Sequence, residues 1–247
     1  FTLHTLWIFI SIAILASTYS LIKLAVKAKL KIKFLSDHSP ALFLSALVSA
    51  RLIFVIFNFQ FFFYDFGIQN FLKVFQVWDN GLSFTGGVIG FIAYLYYICK
   101  KNDQDFWKWL DVFTPATIIG MAIFHLGAFF DGINYGNETG LPWGVNFENP
   151  AIKYAVPIRP TQIYAALYSG LIAYILIYLM QHNKRIIELK NNGFIALAGI
   201  ASYNLFRFLE EFIRGDDVIS FFGIRLNFIT CLFIIIASGV LLKRRFK

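Results

Sequence analysis

Seven times along this chain, apolar residues run on for about 18 positions or more with few charges, enough at about 1.5 Å per residue to cross a bilayer's hydrocarbon. The runs lie near positions 3–26, 41–64, 82–99, 112–130, 162–180, 194–213 and 218–242. Such runs fit a chain solvated by lipid. A soluble domain of 247 residues has too little interior to hide 30 phenylalanines, in a composition 58% hydrophobic and only 15% charged. Gly86, Gly87, Gly90 and Pro115 interrupt the third and fourth runs. Residues of that kind are tolerated in a span where neighbouring helices cover the backbone. The expected architecture is an all-α, polytopic membrane protein with seven transmembrane helices in one domain, residues 1–247. No internal repeat is evident. Because the sequence opens on Phe1, its true start is expected upstream, and a signal peptide stays an open question.

The positions of the basic residues carry more information than the net charge of +8. Lys23, Lys27, Lys29, Lys31 and Lys33 fall in the first loop, and Lys100, Lys101 and Lys108 in the third. Lys184, Arg185 and Lys190 fall in the fifth, and Lys243, Arg244, Arg245 and Lys247 in the tail. The opposite side has only Lys73, Lys153, Arg159, Arg214 and Arg225. The positive-inside rule then predicts the N-terminus outside and the C-terminus in the cytoplasm. Topology and contact with anionic headgroups account for the charge, and nucleic acid is not a partner. Residues 131–161 form an outer-face loop, long enough to be expected to cover a cavity or meet a partner. Cys99 and Cys231 sit singly in apolar runs without metal-type spacing, so neither a metal nor a cofactor is expected.

Ionisable groups inside spans are costly and are functional candidates by default. Arg51 lies in the middle of the second run, within "SALVSARLIFVIF". The sixth ends "NLFRFLEEFIRGDD", where Arg207, Glu210 or Glu211, and Arg214 follow at helical spacing and could pair along one face. That ladder reads equally as a structural ion-pair network or as a phosphate site, since a fixed arginine grips phosphate with a bidentate fork. The stretch "WDNGLSFTGGVIGF" places Trp78 and Asp79 at the outer interface and Gly86 and Gly87 at the entry to the third span. There another backbone or a lipid headgroup could approach closely. "RPTQIYAALYSG" sets Arg159, Thr161, Gln162 and Tyr164 at the same outer level. Finally, "MAIFHLGAFFDG" carries His125 and Asp131 within an otherwise lipid-like run.

In order along the chain, "ARLIFVIFN", "VWDNGLSFTGGVIGF", "HLGAFFDGINYG", "LPWGVNF", "RPTQIYAAL" and "FRFLEEFIR" resemble the motifs of the bacterial prolipoprotein diacylglyceryl transferases. The likeness spans nearly the whole chain. It implies a multi-pass protein of the bacterial cytoplasmic (inner) membrane. Its members move the diacylglyceryl group of phosphatidylglycerol onto the lipobox cysteine of a prolipoprotein, releasing glycerol phosphate. Such chemistry needs cationic or hydrogen-bonding groups on the leaving phosphate and help for the thiol to ionise.

The chain departs from the family where the chemistry is densest. The family's histidine before Gly-Gly is Thr85, its hallmark arginine is His125, and an asparagine is Ala128. Its second asparagine is Asp131, its glutamate is Ile133, the arginine just beyond is Asn137, and the glutamate after Tyr164 is Ala165. The functional tyrosine of the first span is Leu6 or a neighbour. Arg51, Asp79, Gln162, Tyr164, Arg207, Glu211 and Arg214 remain. Arginine to histidine exchanges a permanent cation for a ring largely neutral at pH 7 and removes the fork. Each lost donor or cation typically costs a factor of about 100 to 1,000 in rate.

Three readings follow. In the first, a catalytically weakened or inactive member keeps the bundle and serves as a lipid- or lipoprotein-binding subunit of a membrane assembly. In the second, an active transferase has rebuilt its site around His125, Asp131 and Glu138. The third is a channel or transporter lined by the arginine–glutamate ladder, against which the lack of paired half-repeats argues. The candidate catalytic residues are His125, Arg207 and Glu211, should the site be active. Those for lipid or phosphate are Arg51, Arg207, Arg214, Gly86, Gly87, Gln162 and Tyr164. His125 is expected to be a packing residue bonded to Asp131 or Tyr135.

Overall fold

The computed structural model describes residues 5–63, 72–77, 81–147, 152–182, 192–217, 220–221 and 224–246. The elements in chain order are α1 (Thr5–Lys27), α2 (Ile32–Phe57), α3 (Phe59–Phe63), α4 (Phe84–Lys101), α5 (Phe106–Asp131), α6 (Thr161–His182), α7 (Phe194–Glu211), β1 (Ser220–Phe221), β2 (Ile224–Arg225) and α8 (Leu226–Arg245). The two short strands pair antiparallel, Ser220 with Arg225 and Phe221 with Ile224. All else of regular structure among the described residues is helix, as the run lengths predict.

Five of these helices, α1, α2, α5, α6 and α8, are long and apolar enough to cross a membrane. The other two long helices, α4 and α7, have 18 residues each. Glycines, tyrosines and the terminal Lys100 and Lys101 dilute the apolarity of α4. Arg207, Glu210 and Glu211 load the end of α7. Helix α2 also begins well ahead of its apolar run, carrying Asp37, His38 and Pro40 within it. Leu15, Phe43, Leu167 and Phe233 are among many large apolar side chains left exposed. Surfaces of that character face lipid rather than water.

The chain forms two compact units, Leu30–Phe106 and the remainder, Phe1–Lys29 with Trp107–Lys247. The smaller unit is held by α2 against α4. A Cβ on Gly86 would come within 2.7 Å of the Ser49 carbonyl and Ile53, and one on Gly90 within 2.3 Å of Ser49. The bare glycine backbones therefore let the two helices touch. Ser83 caps α4, its hydroxyl accepting from the Gly86 N–H at 3.2 Å.

In the larger unit, Ile118, Ile172, Ala173, Leu176 and Ile195 bring α5, α6 and α7 into one core. Gly120 and Gly127 lie against Ser17 and Phe9 of α1. Asp111 of α5 supplies the N-terminal cap that α7 lacks locally. Its two carboxylate oxygens accept from the N–H groups of Gly193 at 2.6 Å and Ala196 at 2.7 Å. A buried carboxylate at a helix N-terminus is stabilised by those donors and by the helix dipole. Gly193 takes φ +108°, and its bare α-carbon fits beneath Trp107.

Segment 131–161 is stitched to the end of α7 through its described residues. The Gly136 N–H donates to Arg159 O at 3.0 Å, Asn137 N–H to Ile213 O at 2.9 Å, and Gly215 N–H to Tyr135 O at 3.0 Å. Isolated bridges pair Gly136 with Arg214 and Ile158 with both Glu138 and Val145. These bonds satisfy loop backbone that would otherwise be costly near a membrane.

Candidate functional site

The larger unit gathers a polar cluster from α6, α7, β2, the start of α8 and the turn after α7. At its centre, the Arg207 guanidinium meets Glu210 at 2.7 Å and Glu211 at 3.4 Å. The helix brings these carboxylates to it at i+3 and i+4. The second Glu210 oxygen accepts from the Tyr168 hydroxyl of α6 at 2.8 Å. Arg225 Nε lies 2.6 Å from the first Glu211 oxygen, while the second, Oε2, is buried and held by its 3.4 Å ion pair with Arg207, without a hydrogen bond. Asn227 Nδ2 reaches the first oxygen at 3.4 Å.

Arg214 was expected to continue the ladder one turn further on. Instead, α7 ends at Glu211, and the chain turns to pair with the loop at Gly136. Arg214 therefore forks onto Asp216, with Nε donating at 2.7 Å and Nη2 also engaged, and donates to Asn134 Oδ1 at 3.0 Å. Arg225 closes this end, donating to Asp216 Oδ1 at 2.8 Å and to the Arg214 carbonyl at 3.1 Å. Three guanidinium groups thus face three carboxylates. Buried ion pairs of this kind survive only when charges and hydrogen bonds are both satisfied.

The other sequence candidates fall into several neighbourhoods. His125 is buried in α5. Its Nε2 lies 3.4 Å from the Tyr203 hydroxyl of α7, and its Nδ1 has no hydrogen-bond partner. The partner is thus a residue of another helix, where Asp131 or Tyr135 was expected. Gln162 has no exposed surface and donates to the Ile133 carbonyl at 2.8 Å, its own carbonyl oxygen being left without a partner. The Tyr164 hydroxyl accepts from Trp143 Nε1 at 2.7 Å, pinning the loop to the start of α6. Ala128, at the family's asparagine position, is fully buried.

In the smaller unit, Arg51 spreads its donors over backbone carbonyls, to Val74 at 2.8 Å, Lys73 at 2.6 Å and Gly81 at 2.9 Å. Phe54 and Phe62 also face its guanidinium, with ring centroids 5.7 and 5.4 Å away. Gly86 contacts α2, and Gly87 lies at ordinary contact distance from Ala46 and Ala50. Trp78 and Asp79 lie outside the described residues.

Sequence reasoning did not single out Tyr168, Tyr203, Asp216 or Arg225, and it left Glu210 and Glu211 as alternatives. The consecutive glutamates three and four residues after an arginine did signal that either could pair. The tyrosines carry no such signal, because phenolic residues in a lipid-facing chain are ordinary interfacial residues.

Fold and cluster define a helical membrane protein with a charge-balanced polar interior. A family model described as prolipoprotein diacylglyceryl transferase matches residues 1–244. The chain belongs to that family. Among similar curated proteins, all phosphatidylglycerol–prolipoprotein diacylglyceryl transferases by name, that of Finegoldia magna is 33% identical over 82% of this chain and 74% of its own. That of Geobacter sulfurreducens is 34% identical over 59% of this chain and 53% of its own. That of Haemophilus influenzae is 32% identical over 66% and 59%. The matched regions thus cover between about half and three quarters of these relatives' lengths.

Proposed function

We propose that this chain is a seven-span protein of the bacterial inner membrane, N-terminus out and C-terminus in. It holds a phosphatidylglycerol-type lipid and transfers its diacylglyceryl group weakly or not at all. It then acts as a lipid- or lipoprotein-binding subunit of a membrane assembly. The observation that carries this reading is the engagement of every arginine among the site candidates. Arg207 and Arg214 are matched by carboxylates, and Arg51 is spread over carbonyls. Transfer depends on charge stabilisation of the departing phosphate, and donors already committed supply little of it. The replacements Thr85, His125, Ala128 and Ile133 point the same way.

One observation favours the alternative, an active transferase with a rebuilt site. His125 keeps a buried Nδ1 without a partner while Tyr203 faces its other nitrogen, an arrangement suited to a thiol base. Incubating the purified protein with phosphatidylglycerol and a lipobox peptide, and assaying for thioether-linked lipid, separates the two. Little or no product is expected; turnover of about one per second or faster, ordinary for enzymes, supports the alternative.

A further inference from the structure

Arg207 meets two carboxylates, one its own and one shared with Arg225. Glu211 is 2% exposed and stands between two arginines, 3.4 Å from Arg207 and 2.6 Å from Arg225. Glu210 is 5% exposed and makes the shorter contact with Arg207, at 2.7 Å. It is also held from a second helix. The Tyr168 hydroxyl donates to its other oxygen at 2.8 Å, and the Tyr168 ring stacks on Phe206 with centroids 5.4 Å apart. The Glu210 carboxylate is therefore fixed by two elements rather than swinging on a flexible stem. A guanidinium receives a phosphate through the same N–H groups that receive a carboxylate. A lipid phosphate approaching Arg207 would have to displace Glu210 or share one donor with it, against the repulsion of a like charge nearby.

We infer that Glu210 is a built-in competitor for Arg207 and sets the headgroup selectivity of the site, holding down its affinity for anionic lipids. This rests on the reading that a bound lipid addresses its phosphate to Arg207. Glu210 acts through Arg207 and touches no lipid itself, so it is a positioning residue. Its signature is charge discrimination between lipids of the same acyl composition. Removing its charge frees Arg207 for phosphate, while Glu211 remains to balance the arginine. An uncharged diacylglycerol gains nothing from the change.

The test measures binding of phosphatidylglycerol and, separately, of diacylglycerol with the same chains, to the full-length protein in micelles of a neutral detergent. Glu210→Gln should tighten phosphatidylglycerol binding about tenfold relative to the parent, the effect of one charge-assisted contact, and leave diacylglycerol within about twofold. Equal tightening for both lipids, or for neither, overturns the inference. Should Glu210→Gln fail to fold, Tyr168→Phe keeps the stacked ring and removes only the hydroxyl that fixes Glu210. A smaller but still selective gain for phosphatidylglycerol then supports the inference, and an unchanged ratio of the two affinities overturns it. Turnover of about one per second or faster in the thioether assay with the parent protein would defeat the weak-transfer reading without touching this ratio, so the two failures are distinguishable.

Discussion

His125 shows how little a residue's chemistry decides before its neighbours are known. In the sequence it is a lone imidazole in an apolar run, readable as a base or as packing. In the fold it is buried in α5 beside the Phe124 ring, with a single long hydrogen bond, 3.4 Å to the Tyr203 hydroxyl. Near the upper limit of hydrogen-bond length, such a contact adds little stability. Replacement by glutamine, which keeps a donor and an acceptor at similar reach, should cost less than about 1 kcal/mol. Thermal unfolding in detergent checks this. A large drop in the midpoint, or loss of lipid transfer by a parent that has it, would show that the ring does more than pack. Arg51 carries the complementary lesson. As a lone mid-span cation it is a functional candidate, yet its donors end on three carbonyls of residues 73, 74 and 81. Those residues lie more than 20 positions away, beyond what helical spacing can reveal.

At the scale of the elements, glycines that look alike in sequence do different work. Gly90 of α4 lies where a Cβ would come within 2.3 Å of Ser49 and 2.5 Å of the Ser45 carbonyl. Gly170 of α6 has nothing within 4 Å of that position. Gly90→Ala should separate α2 from α4 and destabilise the protein by about 1–3 kcal/mol. Gly170→Ala should be neutral or stabilising by up to about 1 kcal/mol, since alanine favours the helix and meets no obstacle. Comparing the two unfolding midpoints tests the assignment, and equal effects would refute it. Helix α7 shows where helical periodicity stops being informative. Spacing brought Arg207 together with Glu210 and Glu211, but its extension to Arg214 presumed a helix that ends at Glu211. The chain turns there because Gly215 approaches the Gly136 carbonyl so closely that a Cβ would stand 2.5 Å from it. That contact is made with a segment some 80 residues earlier.

At the scale of the whole molecule, the proposed topology makes a direct prediction. Lys153 is exposed in segment 131–161, where it pairs with Asp217 at 2.8 Å, and Lys101 is exposed at the end of α4. The positive-inside rule puts these positions on opposite sides of the membrane. With a cysteine at position 153, a membrane-impermeant maleimide should label intact spheroplasts. With one at position 101, it should label only after permeabilisation. Cys99 and Cys231 are both buried, so background labelling should be low. Labelling at 101 from outside would reverse the orientation.

Membrane class and family membership were legible in the sequence, as was the helical character of the spans. Partition into lipid sums over consecutive side chains, so a run of apolar residues carries its own answer wherever the rest of the chain goes. The family motifs, too, are local strings. Only the tertiary structure decided which charges meet. Asp111 caps a helix that begins more than 80 residues later, Tyr168 fixes Glu210 from another helix, and Arg225 closes the cluster around Asp216. The physical reason is that a buried charge is governed by atoms within a few ångströms, and packing, not sequence order, brings those atoms together.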